Sequence, residues 1–257
     1  MNPFVSNKEY TDPGKAALNM LLLCIIIVAA FWFSLWRIGY SLNFSFIPDF
    51  SLRIRAGFLM TVELSLCSLV LSLALGILSA YLQQSRVLIC RYLARLYVLV
   101  IRGTPLIMQI YLFFYIVGTA FGIENRFLCG VLILSVFEGA YISEIIRGSF
   151  LSLDSMQLEA AKAVGFTKKQ TTTLVILPQL VARTLPALTG QFASIIKDSS
   201  LLCVIAVIEL TQTIREISAT NFKMFECYLF LGVLYLALTL PITFVSKWLE
   251  RRFHYEN

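Results

Sequence analysis

Few side chains in this sequence can do chemistry, and most of them interrupt long apolar runs. Glu63, Glu138 and Glu144 fall inside such runs, and Gln109 and Gln191 sit in others. An ionisable group at membrane depth costs roughly 2.5–3.5 kcal/mol, so each asks for a partner or a purpose. A buried carboxylate can meet a cation and a carboxamide can meet an anion. Glu63, Gln109, Glu138 and Gln191 are therefore the candidate lining of a translocation pathway. Interhelical hydrogen bonds that hold a bundle together are the competing role for each. Glu144 and Arg147 stand three residues apart and are expected to pair as a structural brace. Lys197 and Asp198 close the fifth apolar run on its outer side, facing either an outside partner or a neighbouring gate segment. Arg183, between Pro178 and Pro186, reads as a local brace at a proline-interrupted, bendable span. Catalysis has no constellation to rest on. The sole histidine, His254, lies in a polar tail, and there is no Ser/His, Asp/Asp or HExxH arrangement. No catalytic residue and no metal ligand is assigned, and the six cysteines, with no Cys-x-x-Cys pair, read as small apolar packing residues.

The elements that must position these groups are membrane helices. Of 257 residues, 58% are hydrophobic and 14% charged, with a mean hydropathy of +0.80. A chain of this size cannot hide that much apolar surface in a water-soluble core. The net charge of +6 is carried at helix ends rather than on one face, so it gives no nucleic-acid footprint. Apolar runs at Ala17–Trp36, Phe58–Leu82, Pro105–Ile123, Phe127–Ile146, Leu174–Ile196 and Cys227–Ser246 predict six spanning helices. The first is too long for a cleavable signal, and no internal repeat is visible. Ser200–Leu210 is apolar but only 11 residues long, which suits a re-entrant or surface gate element. With six spans, one side collects 13 lysines and arginines and the other six, which places the richer side, with both termini, in the cytoplasm. The fold class expected is all-α, a polytopic helical membrane protein.

The loop at 147–173 on that side is long for a small transporter. Asp154 can cap a helix, with Gln157 returning the bond in a capping box. Ala160, Ala161 and Ala163 favour helix, Gly165 suits a left-handed stop, and Thr167-x-x-Gln170 is a second capping box. The loop thus reads as a short helix, a glycine turn, and a new helix entering the membrane. Its small side chains and few bulky anchors favour docking on another protein over lying on lipid headgroups.

Glu159-Ala160-Ala161, three residues, Gly165, nine residues, then Val175-Ile176-Leu177-Pro178 resembles the EAA motif of importer-type ABC permeases, with valine in place of the family's isoleucine. Arg102-Gly103-Thr104-Pro105-Leu106 with Gln109 is similar to the RGTPxLxQ signature of the polar amino-acid branch. Gly139-Ala140-Tyr141 with Glu144, Arg147 and Gly148, and Ile196-Lys197-Asp198-Ser199-Ser200-Leu201-Leu202, resemble two further segments of that branch. The resemblance runs from about Gly57 to Arg251. It divides the chain into an added helix with an outer linker, 1–55, and a five-helix permease core, 56–257.

The resemblance implies a membrane subunit of a bacterial inner-membrane importer for polar amino acids. It implies two copies of an ABC ATPase docked on the EAA loops, a second permease chain, identical or homologous, and an extracytoplasmic binding protein. The helix over 154–164 becomes the coupling helix, with Glu159 for an ionic contact, Ala160, Ala161 and Gly165 for close fit, and Leu177 and Pro178 completing the motif. The chain has no Gly-x4-Gly-Lys-Ser/Thr loop, so no cofactor is assigned to it, and ATP with magnesium belongs to the partner ATPase. The alternative is a proton-coupled secondary transporter, with Glu63 or Glu138 carrying the proton. The missing internal repeat and the elaborate loop count against it.

Overall fold

The computed structural model describes residues 13–252; both chain ends, and His254 with them, lie outside that range. Two units divide between Ser45 and Phe46. The described part of the first is α1 (Pro13–Ile38) and the short segment after it. Its apolar side chains, among them Ile26, Val28 and Trp32, are exposed around the whole helix, as a lipid-facing span requires.

The second unit is built on two parallel helices, α3 (Ser51–Gln83) and α6 (Arg126–Leu151); α2 (Phe46–Asp49) is a single turn before them. The face of α3 turned inward is not its apolar one. Thr61, Ser65, Ser68, Ser72, Gly76, Ser79 and Gln83, spaced three and four apart, are buried, while Leu59, Leu66, Val70 and Ile77 point out. Lipid is as apolar as leucine, so burying leucine gains little there, and small residues that let backbones approach decide the packing. The register follows from hydrogen bonds: Ser135 Oγ donates to the Ser68 carbonyl at 3.3 Å, Ser143 Oγ meets Ser79 Oγ at 3.0 Å, and Gln83 Nε2 donates to Ser143 Oγ at 2.9 Å.

Two parallel neighbours need a return crossing, and this is where the sequence misleads. The stretch 83–104, read as a loop, contains the helix α4 (Leu88–Gly103), whose Ala94, Val98 and Ile101 are buried. At Thr104-Pro105 the chain turns by 111° into α5 (Leu106–Leu112) and a π-helical turn, Phe113–Gly118. The third span expected at Pro105–Ile123 is therefore one limb of a bent pair. Among the described residues, five helices are long and apolar enough to cross a membrane, or six with this pair as one. Gln109 holds the bend: its Nε2 donates to the Ile101 carbonyl and to Thr104 Oγ1, both at 2.8 Å. Gln109→Leu strands the buried Ile101 carbonyl and frees the half-buried Thr104 hydroxyl, and we expect a loss of about 1–3 kcal/mol in reversible unfolding from mixed micelles.

After α6 come α7 (Ser155–Ala163), α8 (Lys168–Gln170), a π-helical segment Thr171–Ile176, and α9 (Leu177–Asp198). The fifth span is thus longer than expected. Pro178 sits in the first turn of α9 and Pro186 in its interior, yet one helical run extends from Lys168 to Ile205. Its end, the 3-10 segment Ser199–Ile205, is the gate segment predicted at Ser200–Leu210. It neither dips back through lipid nor lies on the surface. Leu202, Ile205, Val207 and Leu210 are buried in the protein core, and the chain reverses at Ala206, φ 55°. The polar stretch that follows forms α10 (Leu210–Asn221), before α11 (Met224–Arg252). Leu210, Ile214 and Ile217 pack there with Phe46, Ile54, Cys227 and Leu231.

Candidate functional site

Midway along α6, Glu138 is fully buried. Gln191 Nε2 donates to its Oε2, and Asp198 faces the same carboxyl from two turns further along α9. Gln191 and Asp198 are seven residues apart, so one face of α9 brings both to Glu138. Among the described residues Glu138 makes no ion pair with a lysine or arginine. The result is an acidic centre with a carboxamide beside it and no counter-cation, suited to receive a cationic group. Of the four pathway candidates, the structure joins Glu138 to Gln191 only. Glu63 is exposed on α3, with no hydrogen bond or ion pair to this centre, and Gln109 is committed to the α4–α5 bend. Asp198, expected at the outer end of its span, lies seven residues inside the helical run. Lys197 beside it is exposed.

The second arrangement is the corner after α6. Asp154 caps α7 by accepting from the Met156 amide at 2.9 Å. Gln157 does not close a capping box; its Oε1 instead accepts from Gln179 Nε2 at 2.7 Å, tying α7 to α9. Gly165 has φ +85°, with Phe166 N donating to the Ala161 carbonyl and Gly165 N to the Lys162 carbonyl, both at 3.0 Å. This pair of bonds is the Schellman closure of a helix. Thr167 and Gln170 form the reciprocal capping box. Glu159, Ala160, Gly165, Leu177 and Pro178 are exposed, whereas Ala161, about 100° round the helix from Ala160, is buried against its own chain. Arg183 Nη1 donates to the Ser152 carbonyl and, at 2.7 Å, to Ser152 Oγ, which fastens α9 to the α6–α7 junction.

Between these two lies a cluster on α4 and α6. Arg147 grips Glu144 through Nε at 2.7 Å and Nη2 at 2.8 Å, and Arg102 reaches the same carboxylate at 3.3 Å. Gln83 Nε2 adds a contact of 3.4 Å. Arg102 also stands 5.2 Å over the Tyr141 ring.

Sequence reasoning did not single out Glu209. It is fully buried, caps α10 through the Thr211 and Gln212 amides at 2.7 Å each, and accepts from the Tyr235 hydroxyl at 3.0 Å. The signal was present: a carboxylate three residues before Gln212 that opens a helix after an apolar run. Burial raises its carboxyl to about 7, the hydrogen bonds offsetting part of the effect. A folded-state value above the unfolded one means the native state holds the proton more tightly. The associated stability is complete below about pH 4.5 and is lost as pH rises through about 7. We expect unfolding free energy in micelles to fall between pH 5 and 7.5 by on the order of 3 kcal/mol or less, and Glu209→Gln to flatten that slope.

Residues 72–255 match the family described as the binding-protein-dependent transport system inner membrane component. The glutamine transport system permease protein GlnP of Escherichia coli K12 is 36% identical over 195 residues, covering 75% of this chain and 89% of its own. The L-cystine transport system permease protein TcyB of Bacillus subtilis is 35% identical over 201 residues, 77% and 86% of the two chains. Among solved structures, a crystal structure of an amino acid ABC transporter with histidines superposes with a TM-score of 0.77 at 30% identity, covering 82% of this chain and 99% of that one. The inward-facing methionine transporter MetNI, at 17% identity and TM-score 0.65, shares the fold.

Proposed function

Because the chain belongs to the inner-membrane component family of binding-protein-dependent transport systems, the ABC importer permeases, we propose that its substrates are polar amino acids. It is a multi-pass membrane permease subunit. The observation that carries the reading is the corner at α7: a capped, exposed helix ended by a left-handed glycine and hydrogen-bonded to α9 through Gln157 and Gln179. In this reading the corner is the docking point for an ABC ATPase, two copies of which bind ATP and magnesium. Glu159 and Ala160 offer the contact surface, Gly165 sets the angle, and Ala161 holds α7 to its own chain. Leu177 and Pro178 lie at the start of the helix that α7 would move.

The same reading adds a second permease chain, identical or homologous, and an extracytoplasmic binding protein. It places the α7 corner and both termini in the cytoplasm of a bacterial inner membrane. Residues 1–55 are an added helix and outer linker, and 56–257 the permease core. Glu138 would receive the substrate ammonium, with Asp198 completing the acidic centre and Gln191 positioning it. Because Glu138 is fully buried, α9 must shift against α6 before a solute reaches it. The proton-coupled alternative has no observation in its favour.

Reconstitution tests the reading. Proteoliposomes with the binding protein, a polar amino acid and the co-purified ATPase should accumulate substrate only with ATP inside the compartment facing the α7 corner. Uptake driven by a proton gradient with this chain alone would overturn it.

A further inference from the structure

Three arginines and one glutamate line an open cleft of about 580 Å3 between α4 and α6, and the charges do not balance. Both Glu144 carboxylate oxygens are taken by Arg147 and Arg102. Arg95, on the same wall, makes no ion pair among the described residues and is exposed. The cleft therefore carries a net charge of two positives, from Arg95, Arg102 and Arg147 against Glu144.

The position of this charge on α4 is specific. At about 100° per residue, Arg91, Arg95 and Arg102 fall within a stripe roughly 40° wide. On one side of the stripe is the buried face of Ala94, Val98 and Ile101. On the other is an exposed apolar face, Tyr92, Leu96 and Leu99 among it, which no described residue covers. A helix with charge along the seam between protein and apolar surface lies at a membrane interface, its apolar face among acyl chains. Basic slots between membrane helices of this kind hold anionic headgroups.

We propose that the Arg95–Arg102–Arg147 cleft is a binding site for the phosphate headgroup of an anionic membrane lipid, whose acyl chains lie on the apolar face of α4. The arginines supply charge-assisted hydrogen bonds to phosphate oxygens, and guanidinium geometry suits that anion. A soluble phosphate would satisfy the charge and leave the adjoining apolar face unused, so the lipid is the occupant the geometry selects. The inference needs only that the chain sits in a bilayer, and it stands or falls apart from the transported solute.

Native mass spectrometry of the delipidated full-length protein, titrated with phosphatidylglycerol, phosphatidylethanolamine or inorganic phosphate, tests it. Phosphatidylglycerol should be retained several-fold over phosphatidylethanolamine. Arg95→Gln, which removes no internal ion pair, should weaken phosphatidylglycerol retention about fivefold, the weight of one basic residue at an anionic surface. Arg126→Gln, at the other end of α6, should leave it unchanged. Equal retention of the two lipids, no effect of Arg95→Gln, or an equal loss in Arg126→Gln would overturn the proposal. So would displacement of phosphatidylglycerol by millimolar inorganic phosphate, which would make the occupant a soluble anion.

Discussion

Gly76→Leu is expected to abolish accumulation of folded protein. A Cβ placed on Gly76 would stand 2.4 Å from Ile142 Cγ2, 2.7 Å from Ile142 Cβ and 3.1 Å from the Gly139 carbonyl oxygen. Ile142 is itself fully buried, and its Cβ is fixed by the α6 backbone, so α3 and α6 must separate to admit any side chain. That separation strains the hydrogen bonds at Ser135, Ser143 and Gln83 together, because all lie on one seam. Even Gly76→Ala should cost about 1–3 kcal/mol, the usual penalty of overpacking. Gly232→Ala on α11, where an added Cβ meets nothing within 4 Å, should be neutral or slightly stabilising because alanine is the better helix former. Size-exclusion profiles in detergent and unfolding in mixed micelles measure both. If Gly76→Leu elutes and unfolds like the parent, the α3–α6 packing described above is wrong.

The second large effect is expected at Gly165, and it is functional rather than global. Among the described residues nothing lies within 4 Å of a Cβ built there, so substitution meets no steric wall. The penalty is local: φ +85° costs an ordinary residue about 1–2 kcal/mol, and a β-branched one more. Gly165→Val should let the Schellman closure open and leave α7 free to change its angle, while the membrane core, which α7 does not support, stays folded. We expect insertion and thermal stability near the parent's, with co-purification of the ATPase and ATP-dependent uptake reduced tenfold or more. Gly165→Asn, which tolerates the left-handed region, should retain most of both. Full ATPase recovery with Gly165→Val would remove the coupling role from this corner.

The corner was legible because its signals are local: a cap, three alanines, a glycine and a second cap all within 17 residues, Asp154 to Gln170. The bend at Thr104 was not. α4 carries Arg91, Arg95 and Arg102, which cut its apolar residues into runs too short to read as a span, although its buried positions Ala94, Val98 and Ile101 keep the helical spacing. The proline-bearing fifth span was read as interrupted, since proline removes a backbone donor. The structure keeps the run whole by passing through the π-helical segment Thr171–Ile176 just before Pro178, a local change of pairing that accommodates the missing donor. The inner face of α3 could have been read from its serines and glycine at three-and-four spacing. A search for apolar stripes looks at the opposite face, which here meets lipid. The pairing of Asp198 with Glu138 joins residues sixty apart, and only the fold brings them together.

The unbroken run from Lys168 to Ile205 is 38 residues long. Such a rod measures roughly 55 Å, well beyond the ~30 Å of hydrocarbon it crosses. It works as a lever arm: turning it by about 5° about one end carries the other through roughly 5 Å at that length. One end adjoins the α7 corner and the other the turn at Ala206, so a rotation at either end is passed along the run to the other. Flexible residues inserted near its middle, where a single glycine, Gly190, already sits within the helix, would introduce slack, and the two ends would then respond independently.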